Sequence, residues 1–273
     1  MITFPNAKIN IGLNVVKKRE DGFHNIETVF YPLTLTDILE IIENKDLPKG
    51  EYTYTSYGIE IDCSVENNII IKAYNLIAHD YDIPGIDIFF HKNIPFGGGL
   101  GGGSADAAYM LKLLNDKFSL SLTTEQLEDY ASRIGSDCAF FIKNEPVYAY
   151  GRGELFKEIN FSLKGKYIVL VKPNIAVPTG KAYSGIKPQA STFDLKDLSS
   201  LSLSEWKDKV NNDFEKTVFK AFPAIKNLKD KLYSLGAEYA VMTGSGATVY
   251  GIFNKEVDLS ASFEDCFYWA ELL

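Results

Sequence analysis

An α+β fold is what this sequence predicts, and three observations carry the prediction. Short segments with alternating apolar and polar residues crowd the first part of the chain, from Ala7 to Tyr57. Between Ile86 and Leu114 a strand, a glycine run and a helix follow one another. After two helix-spaced stretches from Asn212 to Leu235, the chain reads as a strand, a second glycine loop and a strand up to Phe253. With 273 residues there is material for one large domain or two packed ones.

Taken in order, Ala7 to Val16 is the clearest strand. Ile9, Ile11, Leu13 and Val15 point one way, and Lys8, Asn10, Gly12 and Asn14 the other. Lys8 and Asn10 therefore share a face, about 6–7 Å apart. A surface edge strand would explain the lysine, but asparagine is depleted in strands, and two on one face suit a polar lining better. Asp21-Gly22 marks a hairpin turn into a second strand, Phe23 to Phe30. Strands follow at Asp37 to Ile42 and Glu51 to Tyr57. Asn67 or Asn68 caps a helix carrying Ile69, Ile70, Ala73, Leu76 and Ile77 on one face.

Ile86, Ile88 and Phe90 then alternate with Asp87, Phe89 and His91, and Lys92 leads into the glycine run. Ala107, Ala108, Met110, Leu111 and Leu114 recur at helical spacing behind it, with Ser104 as the expected N-cap. Glycine leaves main-chain N–H groups open to a ligand, and a helix start adds free donors and about half a positive charge. Together they predict a phosphate cradle. No Gly-Lys-Ser/Thr follows, so this is not a Walker A loop. Gly97, Gly99 and Gly102 fit G-x-G-x-x-G, yet no strand ends in an acidic residue about 20 residues on, as a dinucleotide fold wants.

Thr123 and Gln126 form a capping box for a helix through Ile134. Asp137 comes next, after Gly135-Ser136, where a helix cap is one reading. Val147 to Tyr150 and Tyr167 to Lys172 are strands, and a helix starts near Thr179. Residues 188–204 carry no assignable role. Asn212-Asp213 opens a helix that Pro223 breaks, and a further helix is closed by Gly236.

Composition narrows the function. The apolar and charged fractions, 46% and 23%, are those of a globular protein. No apolar run approaches the ~18 residues of a membrane span, and no signal peptide is visible. Cys63, Cys138 and Cys266 are few and far apart, which fits reduced thiols in a cytoplasmic protein and gives no metal spacing. A net charge of −8 argues against nucleic acid or anionic membrane as a partner.

The glycine run resembles the ATP loop of the GHMP kinases, whose signature is proline, three variable residues, then Gly-Leu-Gly and small residues. On that resemblance Pro95, Phe96, Gly97, Gly98, Gly99, Leu100, Gly101, Gly102, Gly103, Ser104 and Ala105 are expected at ATP. The version here looks most like the branch acting on a cytidine-diphosphate-linked methylerythritol. Its opening strand is similar to Asn6 through Leu13, which makes Lys8 the expected catalytic lysine and places Asn10 at the substrate. Its Gly-Ala-Asp-Val-Pro-Phe-Phe segment resembles Gly135 to Phe141, with Ser136, Cys138 and Ala139 as departures, and makes Asp137 the expected base. Asp21-Gly22-Phe23-His24 resembles its Asp-Gly-Tyr/Phe-His motif, so that Phe23 stacks on cytosine and His24 bonds its edge. Pro178-Thr179 and Tyr183 are similar to a segment whose threonine meets substrate and whose aromatic faces the first one across the base. Asn68 and Lys92 are expected beside adenine, with a plain helix cap and an exposed lysine as the ordinary readings. Gly244, Ser245 and Gly246 resemble the third superfamily motif, a loop lying against the first.

The resemblance implies a two-domain GHMP fold, with a ribosomal-protein-like N-terminal domain (residues 1–152) and a ferredoxin-like α/β sandwich (153–273). It implies ATP and Mg²⁺ as cofactors, a small-molecule alcohol as partner, and a monomer or weak homodimer. A sibling kinase of the homoserine or mevalonate type is the alternative; it predicts no aromatic pair.

Overall fold

The computed structural model describes residues 1–273. In chain order the strands and helices are β1 (Ile2–Thr3), β2 (Asn6–Lys18), β3 (His24–Thr36), β4 (Ile38–Glu43), β5 (Tyr52–Gly58), α1 (Ile69–Asp80), β6 (Ile86–Lys92), α2 (Gly102–Lys117), α3 (Thr124–Ile134) and α4 (Phe140–Lys143). There follow β7 (Val147–Gly151), β8 (Leu155–Glu158), β9 (Tyr167–Pro173), α5 (Thr179–Tyr183), α6 (Trp206–Lys209), α7 (Phe214–Ala221), α8 (Pro223–Ser234), β10 (Tyr239–Met242), β11 (Val249–Phe253) and β12 (Cys266–Leu272).

Two compact units emerge, and neither is a single stretch of chain. The first holds residues 1–7, 34–95 and 101–145. Its sheet runs β1-β4-β6-β5, with only β5 and β6 parallel. Helix α2 buries Ala107, Ala108, Met110, Leu111 and Leu114, the periodic face read from the sequence, while α1 buries Ile70, Ala73 and Ile77 as read but Ile71 and Tyr74 in place of Ile69 and Leu76. The Thr123–Gln126 capping box is formed at the start of α3.

The second unit holds residues 8–33, 96–100 and 146–273. It contains the sheets β2-β3-β7-β8 and β10-β11-β9-β12. Leu13, Val15, Ile26, Val169, Val171, Val218, Ile225, Leu232, Ala240 and Val249 share one core. A single cut after residue 152 does not describe this arrangement. Strand β3 pairs with β7 from Ile26↔Gly151 to Phe30↔Val147, so the two long N-terminal strands share a sheet with the segment just before residue 152.

Three local expectations are corrected. Helix α2 starts one turn early, with Gly101 in the left-handed region (φ 71°) as N-cap, so Ser104 lies inside its first turn. Pro223 does not merely break a helix; it is the first residue of α8, where its missing N–H costs nothing. Residues 188–204 have a structural task, for Leu195 and Leu198 are each 1% exposed and Gln189 N–H donates to Val15 O along β2.

Candidate active site

In the second unit Lys8 lies on a strand whose polar face is as buried as its apolar one. Its Nζ donates to Asn10 Oδ1 at 2.6 Å and stands 4.4 Å from the centroid of Phe30. Its backbone N–H donates to Leu100 O at 2.9 Å, which pins the lysine to the glycine loop. The edge-strand explanation of Lys8 therefore fails. Asn10 has partners on the same face. Its Oδ1 is taken by Lys8, and its Nδ2 donates to Thr28 Oγ1 at 3.0 Å. Thr28 passes its own proton to Gly12 O at 2.5 Å. With its amide so engaged, Asn10 holds the Lys8 ammonium in place.

The loop after Pro95 is held from below by the second glycine loop. Ala247 N–H donates to Gly97 O at 2.9 Å, Thr248 N–H to Gly98 O at 3.3 Å, and Thr243 Oγ1–H to Gly99 O at 3.1 Å. Gly99 is obligatory on two counts: its φ is +71°, and a β-carbon there would stand 2.1 Å from Thr243 O. The outer side of Gly97 is open, with nothing within 4 Å of a β-carbon. Thr179 Oγ1 is 3.4 Å from Ser245 Oγ, so α5 begins against the same loop.

The Asn-Asp-Phe-Glu segment, to which the sequence assigned only a helix start, fixes this loop further. Asn212 Nδ2 donates to Met242 O at 2.7 Å and Gly244 O at 2.8 Å. Glu215 accepts Met242 N–H at 2.9 Å. A polar cluster ahead of a helix with a buried end was the available signal.

In the first unit the start of α2 rests on buried charge. Lys92 is 1% exposed; its Nζ donates to Asp37 Oδ2 at 2.5 Å and to Asp106 Oδ2 at 2.8 Å. Asp37 Oδ1 accepts the N–H groups of Asn93 (2.6 Å) and Ile94 (2.8 Å). A β-carbon on Gly102 would meet Lys92 Nζ at 3.0 Å. The exposed-lysine reading is thus wrong. The ammonium is enclosed by carboxylates. Burial pushes the Asp106 carboxyl well up, against the pull of Lys92. Asn68 is the helix cap: its Oδ1 accepts Ile70 N–H at 2.9 Å, and its Nδ2 donates to Tyr54 OH.

Asp137 is half-buried in the turn between α3 and α4, and accepts from Ser136 Oγ at 3.3 Å. It is no helix cap, since α4 begins at Phe140 with Ala139 in that place. The neighbouring Cys138 thiol is pushed up to about 12 by burial, with the Ser104 hydroxyl as partner, and is inert as a nucleophile.

Phe23 follows an Asx turn in which Asp21 Oδ1 accepts its N–H at 3.0 Å. Its ring is 56% exposed, with the Arg152 guanidinium 5.3 Å from the centroid. The Tyr183 ring, expected opposite Phe23, is engaged by other rings. It stacks on His24 at 4.9 Å and 24°, and meets Phe214 edge-on at 4.6 Å. Burial, and then Lys18, lower the His24 pKa, which leaves the imidazole neutral at pH 7.

Glycine loop, buried lysine and second glycine loop define a small-molecule kinase of the GHMP type. The family models GHMP kinases N terminal domain and GHMP kinases C terminal match residues 68–145 and 194–262. A 4-diphosphocytidyl-2-C-methyl-D-erythritol kinase of Bacteroides fragilis is 51% identical over 272 residues, 98% of each chain. The crystal structure of a 4-(cytidine 5'-diphospho)-2C-methyl-D-erythritol kinase superposes with TM-score 0.83 at 25% identity, covering 99% of this chain and 98% of that one. A homoserine kinase from Cytophaga hutchinsonii shares the fold at TM-score 0.69 and 14% identity, covering 98% and 94%. The chain belongs to the GHMP kinases and, within them, to the 4-diphosphocytidyl-2-C-methyl-D-erythritol kinase family. It is an ATP-dependent phosphotransferase with the expected α+β GHMP fold, and no helix is long and apolar enough to cross a membrane.

Proposed function

We propose that this enzyme phosphorylates the 2-hydroxyl of 4-diphosphocytidyl-2-C-methyl-D-erythritol with ATP, giving the 2-phosphate and ADP for isoprenoid precursor synthesis by the non-mevalonate route. The observation that carries the reaction is the backbone bond from Lys8 N–H to Leu100 O, which holds a buried ammonium to the loop expected at the phosphates. Residues Gly97 to Ser104 present main-chain donors to the phosphates. Asp137 accepts the hydroxyl proton as the new O–P bond forms. The bond from γ-phosphorus to the bridging oxygen breaks, and its electron pair leaves with ADP. Lys8 steadies the negative charge on the transferring phosphoryl, and Asn10 keeps its Nζ in place.

No three acidic, histidine or cysteine side chains gather into a metal cage. That suits Mg²⁺, which keeps its waters and rides on substrate phosphates with one or two protein oxygens; Ser104 would offer a hydroxyl to it. The ion, when bound, neutralises charge on the ATP phosphates. The exposed ring of Phe23 offers a face to cytosine and neutral His24 reads its edge, while Tyr183 braces His24 from behind. We place the enzyme in the cytoplasm, as a monomer or weak homodimer.

ADP release, measured with the cytidyl substrate, mevalonate and homoserine offered separately, tests the reading. Turnover of the cytidyl substrate alone is expected; turnover of either other alcohol instead refutes the acceptor. In the same assay His24→Ala should raise KM for the cytidyl substrate about tenfold or more with a smaller change in kcat, because the base is remote from the transferred group. A loss confined to kcat would count against a binding role.

A further inference from the structure

We propose that Lys172 is a second nucleotide-phosphate residue, supplying positive charge at the glycine loop from the end of β9. The proposal rests on the reading of that loop as the ATP site. It begins from contact. The lysine stem crosses beneath Gly98 so closely that a β-carbon there would meet Lys172 Cδ at 3.3 Å. The same β-carbon would stand 2.7 Å from Thr248 Oγ1, a hydroxyl fully buried and without a hydrogen-bond partner. Glycine at position 98 thus lets the loop lie directly on a lysine and a threonine.

The ammonium itself has little to hold it. Lys172 Nζ donates to the carbonyl of Pro173 at 3.3 Å and has no carboxylate partner. Contrast Lys92, enclosed by two carboxylates, and Lys229, which donates to Glu215 Oε2 at 2.6 Å. Lys172 is half-buried, and burial lowers its pKa, with the Cys266 thiol working the other way. A cation taken from water without a counter-charge is disfavoured until an anion arrives. Polyphosphate on the open side of Gly97 is such an anion, and it would supply the counter-charge that Lys172 lacks. A lysine here for packing alone would use only its stem.

Lys172→Met keeps the stem and removes the charge, so it separates the two roles. Calorimetric titration with ADP, inorganic tripolyphosphate and adenosine is the measurement, with the melting temperature recorded beside it. Lys172→Met should weaken ADP and tripolyphosphate about tenfold, the loss of one charge-assisted contact. Adenosine binding and the melting temperature should stay unchanged, and Lys172→Arg should restore most of the affinity. Under turnover KM for ATP should rise while KM for the alcohol holds. Wild-type affinity for ADP in Lys172→Met, or equal weakening of adenosine, overturns the proposal. A Gly99→Ala control, whose β-carbon would collide with Thr243 O, should lose ADP in either case. If wild type binds no ADP, or Gly99→Ala binds it normally, the ATP-loop reading fails instead.

Discussion

Asp137→Asn should lower kcat by roughly 10²–10⁴, the usual worth of a positioned general base. The substitution is sharp because it is nearly isosteric. The amide oxygen of the variant could still accept from Ser136 Oγ, which now donates to Asp137 Oδ1 at 3.3 Å, so that bond in the turn ahead of α4 survives. What disappears is the negative charge and the ability to take a proton. Nucleotide affinity should persist, since the loop and the start of α2 are untouched. The loss belongs in kcat and equally in kcat/KM, the mark of an interaction made in the transition state. Activity within about threefold of wild type would remove Asp137 from the mechanism and leave Lys8 and the loop donors to carry catalysis by charge alone. A fall in melting temperature of several degrees would point to a structural role.

The contrast between Asp137 and Lys92 explains what could be read from the sequence and what could not. Local patterns were legible. The alternation of Ile9, Ile11, Leu13 and Val15 located β2, the apolar spacing located α1 and α2, and Thr123 with Gln126 located the start of α3. The site motifs were legible because each is a short run of chain. What was missed depends on partners far along the chain. Lys92 continues the inward row Ile86, Ile88, Phe90, so period two already pointed it into the core. Charge argued for the surface, and the counter-charge that settles the matter, Asp37, lies 55 residues away. Residues 188–204 looked featureless because their helical element Leu195–Ser200 is a short 3-10 turn, whose Leu195 packs across Gly12, far back in the chain.

Lys92→Met should destabilise the protein by about 3–5 kcal/mol, the range for leaving a buried charge without its partner. The two carboxylates left behind are among the least exposed groups in the first unit, Asp37 at 0% and Asp106 at 2%. Asp37 retains the N–H groups of Asn93 and Ile94, but Asp106 loses the ammonium at Oδ2 while its Oδ1 already has no partner. At about 2–4 °C per kcal/mol for a chain of this order, the melting temperature should fall by roughly 6–20 °C. Were Lys92 an adenine contact, as the resemblance suggested, the same variant would raise KM for ATP and leave the melting temperature alone. That outcome would sink the structural assignment. Asp106→Asn gives the complementary test through pH. Burial raises the Asp106 pKa in the folded protein, so the acid form favours folding below the ordinary carboxylate value and the benefit is lost as pH rises through the folded value. At neutral pH the wild type bears that loss and Asp106→Asn does not, while Lys92 keeps Asp37 as its neutralising partner. Denaturant midpoints should therefore favour Asp106→Asn increasingly from acid toward neutral pH. A constant difference across that window would mean that Asp106 titrates no differently in the folded and unfolded chain, and that Lys92 holds both carboxylates ionised.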